Sequence, residues 1–464
     1  MQSLIYVMIA AVMLAPHLAS PFGNNILPVY AKYLPDVLSM VVAIYVVAAG
    51  TQQRFRYLNG KYLVAFGALT VVIVCGVLVN DDQPGPVLSG LRYYLRAIPF
   101  FFLPVVVDFG ERQIVKYLVM IATLSLVQVP VAIYQRYTIY IWSRFSGDDV
   151  RGTLMHSGVL TIFLISVLCV ATALMLRGRL GKMAYGALLL LLLIPMSINE
   201  TKVTVFLLPI GLLITSIMSA PPKKRIRVTM AGVALIVVAG AVFIPIYDFF
   251  ATAHVYGRAE GAEESIGQMF TDKNFFGNYL DAKTQIGTDK TEAGRVDALT
   301  APLASFSDDP VRLAFGLGVG NASTSPLGAQ FVGRYQRSYG IFASETTAAT
   351  FLVETGVLGL ALVLLLHFLV LQDTLVLARQ GEQLLGVIAC GWTGAWIVIT
   401  IGNFYIPCHI YDSVSFLPWF FSGLIAARRQ RLLAEASHAV PIPLDVGRHA
   451  ERPAGLRRAR QRAR

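Results

Sequence analysis

Two carboxylates and a scatter of cations at the ends of apolar stretches are the groups of this chain best placed to do chemistry. Glu345 lies in Ser344-Glu345-Thr346-Thr347, where a long polar segment (248–346) gives way to an apolar one. Glu354 follows about two and a half helical turns deeper. A carboxylate within a membrane span costs roughly 2.5–3.5 kcal/mol on insertion scales, so it stands by default as a functional candidate. At the water-facing lip, Glu345 could take a proton from an attacking hydroxyl. The plainer reading is a Ser344 cap with an acid in the first helical turn, favoured by the helix dipole and weakened as a base. Glu354-x-Gly356-x-x-Gly359 places two small residues where a neighbouring backbone can come close.

The cations form the second group. Arg151 (in Arg151-Gly152-Thr153) and Lys202 (in Asn199-Glu200-Thr201-Lys202) lie where apolar stretches begin or end. A guanidinium there can grip a diphosphate with two parallel hydrogen bonds, whereas a lysine acts as a point charge. Arg295 is a third such cation, or else a solvated loop arginine. Arg92 and Arg96 are explained as well by side chains reaching to lipid headgroups. The glycine-dense turn Gly316, Gly318, Gly320 and Asn321 could cradle phosphate through its backbone amides, or could simply be a tight loop. His409 and Asp412 make a polar cluster before the last apolar stretch, suited to orienting a substrate or to a structural role.

The elements that must hold these groups are apolar helices. The 464 residues are 56% hydrophobic and 14% charged, with a mean hydropathy of +0.63. Windows of about 20 residues predict an all-α polytopic membrane protein of about twelve spans, near 3–20, 36–50, 62–80, 95–109, 116–135, 157–176, 183–199, 203–219, 228–247, 348–371, 384–402 and 413–427. The first reads as a retained span and not a cleaved signal. The chain divides into 1–247 (nine spans), the large partly helical outer loop 248–346, 347–427 (three spans) and a basic, disordered tail 428–464. With both termini in the cytoplasm, most of the 38 lysines and arginines fall on the cytoplasmic side or in that tail. A second, short charged outer loop is expected over 136–156. In the long loop an amphipathic helix should start near Gly294 and stop at Asp308-Asp309-Pro310. The net charge of +11 therefore points to anionic lipid and not to nucleic acid. The four cysteines show neither a disulfide framework nor metal-ligand spacing.

From Arg151 to Leu371 the chain resembles the O-antigen polymerase and ligase superfamily of bacterial polysaccharide assembly. The resemblance rests on Arg151-Gly152-Thr153, the basic residue Lys202, Gly294-Arg295, Phe315-Gly316-x-Gly318-x-Gly320-Asn321 and Glu354-x-Gly356-x-x-Gly359-Leu360, in that order. It implies a fold similar to C-type glycosyltransferases, an inner-membrane location and a polyprenyl-diphosphate-linked oligosaccharide as donor and acceptor. A chain-length regulator or export complex would be a further partner, and no metal or cofactor is implied. Arg151, Lys202 and Arg295 would neutralise the leaving diphosphate, and Glu345 would be the base. The ligases carry a His-Asn pair where this chain has Glu345-Thr346, and an Arg is common where Lys202 stands. The carboxylate favours polymerisation over ligation to a lipid. A transporter or flippase of lipid-linked sugars is the rival class, though no inverted repeat is visible.

Overall fold

The computed structural model describes residues 2–20, 25–52, 55–142, 150–252, 285–286, 290–291, 293–380 and 383–439. Each apolar stretch named above is helical. The first are α1 (Gln2–Leu18), α2 (Leu34–Gln52), α3 (Gly60–Val79) and a broken pair, α4 (Pro84–Leu95) and α5 (Ile98–Val106). Pro99 explains the break, because it has no amide to donate to the Leu95 carbonyl one turn earlier and sits instead in the first turn of α5. Next come α6 (Glu111–Trp142), α7 (Ser157–Leu176), α8 (Lys182–Ile198), α9 (Thr204–Ser219) and α10 (Arg225–Thr252). The described part of the polar segment holds α11 (Asp297–Phe306), α12 (Pro310–Phe315) and α13 (Gln336–Ala343), with a two-residue antiparallel pair, Gln285–Ile286 on Lys290–Thr291. Finally α14 (Thr347–Arg379), α15 (Leu384–Gly402) and α16 (Asp412–Ala439) complete the described chain. Among the described residues, seven helices are long and apolar enough to cross a membrane; α1, α8 and α9 are apolar but shorter.

The break expected at Asp308-Asp309-Pro310 has a specific chemistry. The Asp309 carboxylate accepts hydrogen bonds from the Val311 and Arg312 amides, both at 3.1 Å, and Pro310 opens α12. Two boundaries differ from expectation. α6 runs on to Trp142, so Arg136 is helical and not in a loop; it is buried in an ion pair with Glu200 at 2.5 Å. α16 continues to Ala439, so the tail expected to be disordered from 428 is helical over its first dozen residues; 440–464 lie outside the described residues.

α15 forms the middle of the packing, against α7, α9 and α14, while α14 also lies on α3 and α16 on α5. Small residues let these helices approach. A Cβ on Gly391 would meet the Val170 Cα at 2.6 Å, and one on Gly394 would strike the Gly211 carbonyl. Asp373, one of two buried carboxylates in α14, has a side chain 1% exposed and is satisfied by Lys61 from α3, the Tyr62 hydroxyl at 2.8 Å and Arg429 from α16. It ties the ends of three helices together.

Candidate functional site

Glu354 is fully buried, and its carboxylate collects five donors. The Tyr94 hydroxyl and the Gly320 amide donate to Oε2, each at 2.9 Å. The Ala322 amide at 3.3 Å, the Ser323 amide at 2.8 Å and the Ser323 hydroxyl at 2.7 Å donate to Oε1. The glycine turn is thus an anion nest whose anion is the protein's own carboxylate. Its backbone also pairs with α14, Leu317 N–H to the Val353 carbonyl and Gly318 N–H to that of Glu354. Gly316, Gly318 and Gly320 have φ of 70, 88 and 80°, the left-handed region that favours glycine. Gly356 breaks α14 with φ 68° and takes the backbone of Ala314 and Phe315, the end of α12, against it, whereas the atoms nearest a Cβ on Gly359 are those of Thr355 in its own helix.

The far side of the turn rests on the end of α3. Asn80 Nδ2 donates to the Gly316 carbonyl at 3.1 Å, and the Asn321 amide donates to Asp82. Arg334 lies 3.9 Å from Asp82. Burial raises the Asp82 carboxyl to about 6, with Glu354 and Asp81 adding to the rise and Asn321 and Arg334 opposing it. Gly316, Gly318, Gly320, Asn321, Glu354 and Gly356 therefore make one compact anchor for the polar segment. The phosphate-cradle reading of this turn gives way to an internal one, because the cradle is already filled.

Arg151 and Arg295 lie elsewhere, near His156. The Arg151 and Gly152 amides both donate to Gln135 Oε1, at 3.0 and 2.8 Å, and the Thr153 amide donates to Gln128 Oε1 at 2.8 Å. Two buried glutamines of α6 thus fix the loop that carries Arg151. Gly152 is required there, with φ 56° and Gln128 occupying the space of a Cβ. Arg295 donates from Nε to the Tyr405 carbonyl at 3.2 Å, its guanidinium 4.1 Å from the Tyr405 ring centroid. His156 packs on Tyr411 with ring centroids 5.1 Å apart. Burial pushes the His156 imidazole down to about 4, and the Arg151 and Arg295 charges push the same way. Two arginines 144 residues apart in sequence thus act on one ring. Lys202 sits on the neighbouring turn. That turn docks on α7 through Asn199, whose amide donates to the Ser157 carbonyl at 3.1 Å and to Thr161 at 2.9 Å. Lys202 is not among the charges that shift His156.

The segment 403–412 between α15 and α16 joins these parts. It contributes Tyr405 and Tyr411 to the cation corner, and it binds the start of α14: the Thr347 amide donates to the Ile406 carbonyl at 3.1 Å and the Ala348 amide to that of Asn403 at 2.9 Å. Glu345 is half-buried two residues before Thr347. The cap of α14 is Thr346, whose hydroxyl accepts from the Ala349 amide at 3.0 Å, and not Ser344. Glu345 therefore precedes the helix, and the reading in which it serves the first-turn dipole is corrected. His409 is packed near Tyr93, Tyr94 and Phe351, with burial first and Arg96 second pushing its imidazole down to about 3. Asp412 is buried against Arg96 at 2.7 Å, and Asp36 pairs with Arg92 at 2.7 Å. Arg92 and Arg96 are consequently internal ion-pair partners, neither lipid-reaching nor phosphate-facing.

An apolar cavity of about 420 Å³ lies between α6, α7, α15 and α16. It runs from Glu111, Arg179 and Leu384 at one end to Ser413 and Val414 at the other. The latter pair lies two and three residues from Tyr411, the partner of His156. Val115 and Val119 of its lining are 43% and 59% exposed, so the cavity opens sideways between helices. Among the described residues no three His, Cys, Asp or Glu side chains gather as metal ligands. No family model matches the chain, and no curated protein is significantly similar to it.

Residues that the sequence did not single out are Gln128, Gln135 and His156. Gln128 and Gln135 are seven residues apart in the mostly apolar middle of α6 and so fall on one face, and that spacing was the available signal.

Proposed function

We propose that this protein is a membrane glycosyltransferase that polymerises polyprenyl-diphosphate-linked oligosaccharide repeat units at the outer face of a bacterial inner membrane. The observation that carries this reading is a cationic corner (Arg151, Arg295 and the nearby turn of Lys202) whose Tyr411 lies two residues from Ser413, at one end of a laterally open apolar cavity. Such a site matches an amphiphile with an anionic head and a long hydrocarbon tail, entering from the bilayer. The twelve helical stretches all cross the membrane, with both termini cytoplasmic, and the polar segment anchored by Glu354 forms the acceptor platform.

In the reaction, an acceptor hydroxyl attacks the anomeric carbon of the donor as the bond from that carbon to the phosphate oxygen breaks. The departing polyprenyl diphosphate carries away the bonding pair, and its charge is met by the arginines. Glu345 takes the hydroxyl proton. Its place two residues before Thr347, which is bound to the 403–412 segment that also contacts Arg295 and His156, supports that role. A deletion strain decides between this reading and its rivals. Single lipid-linked repeat units should accumulate with loss of long polymer. Accumulation of long lipid-linked polymer would indicate a ligase, and repeat units trapped on the cytoplasmic leaflet would indicate a flippase.

A further inference from the structure

We propose that His156 is a hydrogen-bond donor to the bound diphosphate, offering Nε2–H from a neutral imidazole held near Arg151 and Arg295. This rests on the lipid-diphosphate reading above and adds a residue that the motif comparison does not contain. The tautomer follows from the fold. His156 is the N-cap of α7, with φ −155° and ψ 135°, and its Nδ1 accepts from the Gly158 amide at 3.1 Å. A backbone amide can only donate, so Nδ1 bears no proton and the neutral ring carries its proton on Nε2. The Nε2 edge can therefore give a hydrogen bond and cannot act as a base.

The ring is also held in place. Tyr411 packs on it at 5.1 Å, and its loop is pinned by Gln128 and Gln135. The charged and titratable groups facing it are Arg151 from its own loop, Arg295 from the segment before α11, and Tyr411 from the segment before α16. Taking a second proton would break the cap and add a third positive charge beside two guanidiniums. Burial opposes that proton as well, which is why the imidazole titrates only near 4. A neutral donor at a helix N-terminus still polarises an oxygen that gains charge. It does so without adding a further buried cation.

The test uses full-length protein in lipid nanodiscs with farnesyl diphosphate as the probe, binding being followed by tryptophan fluorescence. His156→Asn keeps an N-cap acceptor but shortens the side chain, while His156→Gln carries an amide N–H out to the reach of Nε2. Asn should weaken binding tenfold or more, the loss of one hydrogen bond to a charged group, with an unchanged melting temperature. Gln should recover part of that loss. The ratio of wild-type to Asn affinity should stay constant from pH 6 to 8, since ionisation of the probe cancels in the ratio. A ratio that falls as pH rises through 6–7 would show an imidazolium and overturn the neutral donor. Equal binding by wild type and Asn would overturn the assignment of His156 alone. Failure of folded wild type to bind the probe would instead overturn the lipid-diphosphate reading. Should Asn lower the melting temperature, Gln decides: recovery of affinity supports the donor, and none refutes it.

Discussion

Glu345→Gln keeps the size of the side chain but cannot take a proton at neutral pH, so polymer synthesis should collapse in that variant while the protein still folds. Glu345→Asp should keep partial activity, because the base remains and only its reach shortens. Polymer measured from cells with equal amounts of each variant checks both, and a fully active Gln variant would remove Glu345 from the chemistry. Arg295→Ala should cost roughly 2–4 kcal/mol of transition-state stabilisation with normal expression; near-normal polymer yield would dismiss it from the site. Glu354 should respond differently. Glu354→Leu leaves up to five buried donors without an acceptor, each worth about 1–3 kcal/mol. The expected outcome is loss of folded protein on size-exclusion chromatography, and not an inactive but stable enzyme.

At the scale of elements, the glycine turn and α14 fold as a unit. Gly316→Ala forces a Cβ to within 2.6 Å of the Gly356 nitrogen at a φ of 70°, so it should lower the melting temperature sharply. Gly60→Ala, where no atom lies within 4 Å of the new Cβ, is the matched control and should be tolerated. The contact between this turn and the end of α3 should also depend on pH. The Asp82 carboxyl is raised to about 6 by burial, so the native state holds its proton where the unfolded chain has already released it. That contribution to stability is present at low pH and is lost as pH rises from about 4 through 6. Melting temperatures of wild type and Asp82→Asn, compared from pH 5 to 8, should differ in slope in this direction. Parallel curves would contradict it.

Among the described residues, apolar helices line a laterally open cavity and several buried charges are paired where the helices pack. Asp373, the Arg136–Glu200 pair and the Arg92/Arg96 network each neutralise charge between packed elements, and Arg151 and Arg295 lie near His156, whose partner Tyr411 is two residues from Ser413 at one end of the cavity. If the proposed topology is right, cysteines introduced as Gln285→Cys and Val440→Cys should be labelled from opposite sides of the membrane by an impermeant maleimide. Labelling of both from one side would sink the arrangement.

Helix type and position were legible in the chain because a run of apolar residues long enough to leave water admits few structures other than helix. The stop at Asp309-Pro310 was legible for the same local reason, since capping and the missing proline amide act within a few residues. What each polar group does was not legible. Glu354 and the glycine turn each suggested a site for a ligand, and only the fold shows that they satisfy one another across 34 residues of chain. Arg92 and Arg96 looked free to reach outward until the packing of α2, α4 and α16 set Asp36 and Asp412 beside them. His156 meets Tyr411 and comes under the charge of Arg295 only through the fold, since both lie far along the chain. Burial and partnership are long-range properties, set by which helices pack together, and hydropathy windows and local motifs do not encode that choice.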